Sequence, residues 1–247
     1  MTAELVVAHL SDLHLGAHVP AAVASLADEV AAFEPHLTVV TGDHTMRARP
    51  REFLQAAELL GKLPAPRLVV PGNHDLPLVS PLRVTAPYDR YRRWIGADEV
   101  AQRVPGLTAL GINSMPWWRW KNGRISDSHA GRIRHVLGEA PASGVRLLAL
   151  HHPPGSLLGR ARLRAAVKDA RVDLVLTGHT HVPFVGEEDG TLFVTAGTAT
   201  SHRVRDVPRT WTLLRITAAE IVVRERAEGS PGTWHAGRVA RFSRLGA

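Results

Sequence analysis

Leu5-Val6-Val7-Ala8-His9-Leu10-Ser11-Asp12-Leu13-His14 is the stretch whose reading decides the fold. A short, mostly apolar run of β-formers ends abruptly in two metal-binding residue types, Asp12 and His14. The same grammar recurs along the chain. Leu37–Thr41 runs into Gly42-Asp43, and Arg67–Val70 into Pro71-Gly72-Asn73-His74-Asp75; Arg146–His151 ends on His151, and Asp173–Thr177 leads into Gly178-His179-Thr180-His181. In open α/β sheets ligands collect beyond the carboxyl ends of strands, so this placement aims all the residues at one edge. Asp12 and His14 are two positions apart, as are His179 and His181. On an extended exit from a strand that period turns both members of a pair to the same side.

Working outward, helical patterns at Pro20–Phe33 and Arg51–Gly61 separate the first three strands, with Pro20 and Pro50 suited to first helical turns. Further helices are expected near Pro81–Trp94, Ser128–Gly138 and Gly159–Ala170, and a further strand over Leu107–Asn113. After residue 190 the strands Thr191–Ala196, Thr210–Ile216 and Glu220–Glu225 follow one another without helices. A βαβ first part and an antiparallel return predict two packed sheets with helices outside, rather than one doubly wound sheet. Residues 1–226 read as one domain. Residues 227–247 read as a turn-rich, basic tail that belongs to that domain or forms a surface arm, with a homodimer contact as a further option.

The chain of 247 residues is 45% hydrophobic and 21% charged, which suits one globular unit with a sizeable core. No apolar run approaches the ~20 residues of a membrane span. Leu5–Leu10 is too short for a signal peptide and lacks a basic leader, so a cytoplasmic protein is expected. Cysteine is absent, which excludes disulfides, thiolate ligands and a cysteine nucleophile. The net charge is +7 and nearly all cations are Arg. A basic balance attracts anionic substrates or nucleic acid, although arginines scattered over solvated helices give the same total.

Imidazoles, carboxylates and one amide, without sulfur, suit Mn, Fe or Zn better than Ca. Seven such side chains exceed what one ion needs. Two ions ~3.5–4 Å apart clamp the attacking and leaving oxygens of an in-line displacement at phosphorus. The chemistry implied is hydrolysis of a phosphoester by a metal-activated hydroxide.

The ordered series DxH, GD, GNHD, a lone His and GHxH resembles the calcineurin-like metallophosphoesterase superfamily. Within it the chain is similar to bacterial class III cyclic-nucleotide phosphodiesterases. The resemblance implies a four-layer αββα sandwich of two mixed sheets with flanking helices. It implies that Asp12, His14 and His181 hold one divalent transition metal ion, that Asn73, His151 and His179 hold a second, and that Asp43 bridges them. It makes His74 the residue that stabilises phosphoryl charge or protonates the leaving group, with Asp75 orienting it. Gly42, Gly72 and Gly178 are expected to permit tight turns under the metals.

One position departs from the pattern. Relatives carry an apolar residue after the bridging Asp, where this chain has His44. It is a candidate metal or substrate contact, or a histidine packed behind the site. The segment Met115-Pro116-Trp117-Trp118-Arg119-Trp120-Lys121 mixes aromatics and cations, as a wall that stacks a nucleobase and grips phosphate would; a loop anchor or dimer contact is the competing view. Trp117, Trp118 and Arg119 are its candidate substrate contacts, and Arg124 in the following Gly-Arg-Ile turn is another. The functional expectation is a small phosphodiester of nucleotide or cyclic nucleotide type. A phosphomonoesterase, a DNA or RNA nuclease, and a non-catalytic scaffold are the alternatives.

Overall fold

The computed structural model describes residues 4–244. Residues 1–3, and residues 245–247 of the basic tail, lie outside the described residues. Strands β1 (Leu5–Leu10), β2 (Leu37–Thr41) and β3 (Arg67–Val70) are parallel neighbours, joined by helices α1 (Pro20–Ala31) and α2 (Pro50–Lys62). Two short helices, α3 (Leu82–Thr85) and α4 (Asp89–Trp94), lead to β4 (Val100–Val104) and β5 (Leu107–Gly111). Then come β6 (Gly123–Arg124), α5 (Asp127–Gly138), β7 (Val145–Ala149), β8 (Leu157–Leu158), α6 (Arg160–Asp169) and β9 (Leu174–Thr177). Five strands complete the chain: β10 (Phe184–Glu188), β11 (Thr191–Thr195), β12 (Thr210–Ile216), β13 (Glu220–Glu228) and β14 (Trp234–Ser243).

The large strands form two six-stranded mixed sheets, ordered β14-β13-β12-β1-β2-β3 and β10-β11-β9-β7-β5-β4. Strand alternation explains the layers. Leu5, Val7, Leu37, Val39, Leu68 and Val70 face inward and pack on Ala109, Leu147, Leu174 and Leu176 of the other sheet. The opposite face of the first sheet, with Val6, Ala8 and Leu10, is covered by Leu26, Val30, Leu59 and Leu60 of α1 and α2. Leu110, Leu148 and Val175 on the outer face of the second sheet meet Ile133, Leu137, Leu163 and Val167 of α5 and α6. The result is the αββα sandwich.

One sequence reading needs correction. Pro81–Trp94 is not one helix, because Pro87 lacks an amide donor and restricts the preceding residue; α3 ends at Thr85 and Ala86 leaves helical geometry. Of the two options for the stretch beyond Gly229, its described residues follow the first: β14 pairs antiparallel with β13 along its length and forms one edge of the first sheet. No described helix is long and apolar enough to cross a membrane.

Candidate metal centre

The carboxyl ends of β1, β2, β3, β7 and β9 meet at one end of the gap between the sheets. Backbone bonds lock the turns together: Asp12 N donates to Gly42 O (3.0 Å), His14 N to Asp43 O (2.8 Å) and Gly178 N to His151 O (2.9 Å). Five of the residues carried there occupy the left-handed region, namely Asp12 (φ 54°), His14 (46°), Asp43 (52°), His179 (73°) and His181 (61°). That conformation costs a non-glycine residue ~1–2 kcal/mol, and such strain concentrates at functional sites. It also corrects the picture of extended exits: successive left-handed kinks, not a simple period of two, bring each pair onto the cluster.

Close packing decides the glycines. A Cβ on Gly72 would lie 2.2 Å from Asp43 Oδ1, and one on Gly178 would lie 1.8 Å from Ser11 Oγ. Gly42 is tight as well and has a φ of +90°.

The side chains fall into two abutting groups. In the first, His181 Nε2 lies 3.1 Å from Asp12 Oδ1 and 3.0 Å from His14 Nε2, and His14 Nε2 lies 3.6 Å from Asp12 Oδ1. In the second, Asn73 Oδ1 lies 3.1 Å from His179 Nδ1 and 3.3 Å from His151 Nε2. Asp43 Oδ2 stands between them, 3.7 Å from His14 Nε2 and 3.4 Å from His151 Nε2. All seven sequence candidates are thus brought together.

The donor set fits divalent ions. His181 Nδ1 donates to Arg203 O and His151 Nδ1 to Thr41 O, each at 2.6 Å. With those protons placed, the neutral rings turn Nε2 lone pairs into the cluster. Asp12 Oδ1 is buried without a hydrogen-bond partner. Converging lone pairs and an orphaned carboxylate oxygen are costly unless a cation or protons sit among them. Donors ~2.1 Å from a shared ion stand roughly 3–3.5 Å from one another, close to the spacing here.

Without metal, protons take that place. Burial opposes charge on His151, but the carboxylate of Asp43 outweighs it and pushes the imidazole up to about 9. Burial also opposes charge on Asp12, yet the close approach of the His14 and His181 imidazoles holds it well below the ordinary carboxylate range. His179 goes the other way, to about 4, through burial and then the neighbouring His151.

The surroundings correct several sequence assignments. Asp75 does not orient His74. Its Oδ2 accepts from His44 Nδ1 (2.8 Å) and Gly72 N (2.9 Å), and its Oδ1 from Thr45 N (2.9 Å). His74 is oriented instead by Met46 O, 2.8 Å from Nδ1, while Arg203 Nη1 donates to its Nε2 at 3.0 Å. His44 is fully buried, stands against Tyr91, and does not line the site cavity. A histidine behind the site is therefore its place, because adjacent Asp43 and His44 point apart.

A cavity of about 300 Å³ opens over the cluster, lined among others by Arg47, His74, Leu76, Leu78, Trp120, Lys121, Arg203 and Arg205. Trp117, Trp118, Arg119 and Arg124 do not line it. Trp117 and Arg124 border a separate hollow beside Tyr88 and Asp98. Trp118 lies 5.6 Å from the Arg119 guanidinium, and Arg119 Nε is used by Asn122 O. Trp120 and Lys121 reach the cavity instead, because buried His152 pins their loop. Its Nε2 donates to Lys121 O (2.8 Å), and its Nδ1 lies 2.8 Å from Ser114 Oγ. Sequence reasoning missed Arg47, Arg203 and Arg205. The rule that strand ends feed the site would have found the last two, since they follow β11.

The sequence model for calcineurin-like phosphoesterases matches residues 5–183. A glycerophosphodiester phosphodiesterase, GpdQ, of Enterobacter lignolyticus (strain SCF1) is 28% identical over 131 residues, which span 49% of this chain and 42% of that protein. The chain thus matches less than half the length of this curated relative. Among solved structures, purple acid phosphatase PPD1 from yellow lupin (Lupinus luteus) seeds superposes with a TM-score of 0.74 at 12% identity, over 99% of this chain and 54% of that one. GAP50, the anchor in the inner membrane complex of Plasmodium, gives 0.66 at 13% identity over 96% and 89%. At these identities the two structures speak for the fold alone.

Proposed function

Because this chain belongs to the calcineurin-like phosphoesterase family, we propose that it hydrolyses small phosphodiesters of nucleotide type with two divalent metal ions. In this reading Asp12, His14 and His181 hold one ion, Asn73, His151 and His179 the other, and Asp43 faces both. When bound, the ions supply Lewis-acid polarisation of the phosphoryl oxygens and an activated water for the attack.

The chain's own residues do the rest. Met46 O keeps the His74 proton on Nδ1, so neutral His74 presents a lone pair at Nε2, now used by Arg203. As an imidazolium, His74 would donate from Nε2 toward a phosphoryl or leaving-group oxygen beside the cluster. The Arg203 guanidinium stands next to it, where charge on the transferring group is stabilised by a preorganised cation. Leu76, Leu78 and Trp120 narrow the cavity on its less polar side.

The observation that carries this reading is the pair of abutting donor groups with Asp43 between them. The match to the phosphodiesterase GpdQ supports a diester rather than a monoester. Asn73→Ala and His74→Ala test the residue roles. Each should lower kcat on bis(p-nitrophenyl) phosphate by about 10²-fold or more while circular dichroism stays native. Wild-type rates in both variants would refute the assignment. Faster cleavage of p-nitrophenyl phosphate than of the diester would move the reading to a phosphatase.

A further inference from the structure

Four cationic side chains line the cavity over the cluster: Arg47, Lys121, Arg203 and Arg205. Among the described residues none of the four pairs with a carboxylate, whereas arginines elsewhere commonly do, as in Arg92–Asp98, Arg134–Asp169 and Arg226–Glu29. The cavity's one lining carboxylate, Asp43, is engaged by the histidines of the cluster. Unpaired like charges gathered at one mouth repel one another, and an anion relieves that repulsion.

Arg203 is also built into the site rather than free on its surface. Its amide donates to Ser201 Oγ (3.0 Å), its carbonyl accepts from His181 Nδ1 (2.6 Å), and its guanidinium rests on His74. The lining also holds one aromatic ring. Trp120 is 56% exposed, and the guanidinium of buried Arg83 lies 4.5 Å from its ring and is held by Pro77 O.

Resting on the phosphodiesterase reading, we propose that the preferred substrate is a nucleotide diester carrying a second phosphate. Arg47, Lys121 and Arg205 bind that phosphate, with Arg203 left to the scissile group, and Trp120 stacks the base. Guanidinium groups suit this task, since they grip phosphate oxygens with paired donors and stack on planar rings. A diester with a single negative charge leaves most of these cations unanswered.

The test compares the thymidine dinucleotides TpT and pTpT, which differ by one terminal phosphate. Calorimetric titration into metal-free protein should give pTpT at least a tenfold advantage that shrinks with added NaCl. Arg205→Gln and Lys121→Gln, both at exposed side chains, should each cut the advantage several-fold, and Arg205→Lys should retain part of it. Arg103→Gln on edge strand β4, the same charge loss outside the cavity, should leave it intact. Equal binding of the two dinucleotides, or an advantage reduced equally by Arg103→Gln, overturns the proposal. Manganese-loaded protein separates this from the reading beneath it. Cleavage of bis(p-nitrophenyl) phosphate without preference for pTpT refutes the second-phosphate site alone. Tight, Arg205-dependent binding of pTpT without cleavage of any diester refutes the activity and leaves the site standing.

Discussion

His44 donates from Nδ1 to Asp75 Oδ2 across 2.8 Å, and both side chains are fully buried. The carboxylate beside His74 in sequence therefore serves the turn beneath the site. By gathering Gly72 N, Thr45 N and His44 it ties the loop after β2 to the loop after β3, and these loops carry Asp43 and Asn73.

Asp75→Ala should consequently act on stability before chemistry. It removes a buried carboxylate and orphans three amides, those of His44, Thr45 and Gly72, along with His44 Nδ1, a loss of ~3–5 kcal/mol. In metal-free protein that corresponds to a fall in Tm of roughly 6–20 °C. His44→Ala, which leaves Asp75 charged with fewer partners, should also lower Tm. Unchanged melting of both variants would contradict the structural role given to the pair.

Gly72→Ala should cost metal binding as well as stability. The new Cβ falls on Asp43 Oδ1 and must displace the carboxylate that faces both donor groups. Overpacking of this kind costs ~1–3 kcal/mol. Metal content after dialysis against Mn²⁺ should drop below that of the wild type, and full loading would refute the argument.

Metal affinity should rise with pH. His151 is held protonated to about 9 by Asp43, and a ligand imidazole must be neutral. Below about 9 the metal displaces that proton, so affinity climbs by up to about tenfold per pH unit as pH rises toward that value. The same shift makes the metal-free fold less stable as pH rises between 6.5 and about 9. A folded value above the unfolded one gives stabilisation that is present below pH 6.5 and lost through pH 9. Competition with a chromophoric chelator at several pH values measures the first effect; a flat affinity would contradict it.

Acid should weaken the fold through β1. Burial pushes His9 down to about 3, against a weak upward pull from Asp12, and its Nε2 is bonded to Thr41 Oγ1 at 3.0 Å. Here the folded value lies below the unfolded one, so the unfolded chain takes up the proton first. Stability is intact above pH 6.5 and falls by ~1.4 kcal/mol per pH unit as pH drops toward 3. His9→Gln should flatten part of that limb in urea titrations from pH 7 to 4. An identical slope in the variant would remove His9 from the account.

The central strands and the residues that meet at their ends were legible because each follows a buried run of β-formers, so tertiary position could be inferred from local pattern. The partner of Asp75 was not. Residues 74 and 75 are adjacent on a short 3₁₀ turn that points them apart, and only the packing of β2 against β3 brings His44 under it. Arg203 was hidden for a similar reason: it reaches His74 by a loop whose path depends on the second sheet. Trp117 and Trp118 illustrate the converse, a conspicuous composition that the loop turns away from the cavity.

The most direct test of a dinuclear phosphodiesterase is to strip the protein of metal and follow bis(p-nitrophenyl) phosphate and p-nitrophenyl phosphate with and without added Mn²⁺. The account predicts negligible turnover without metal and restored turnover that favours the diester. Hydrolysis that persists fully in the stripped protein, or no cleavage of either ester with any divalent ion, would contradict it.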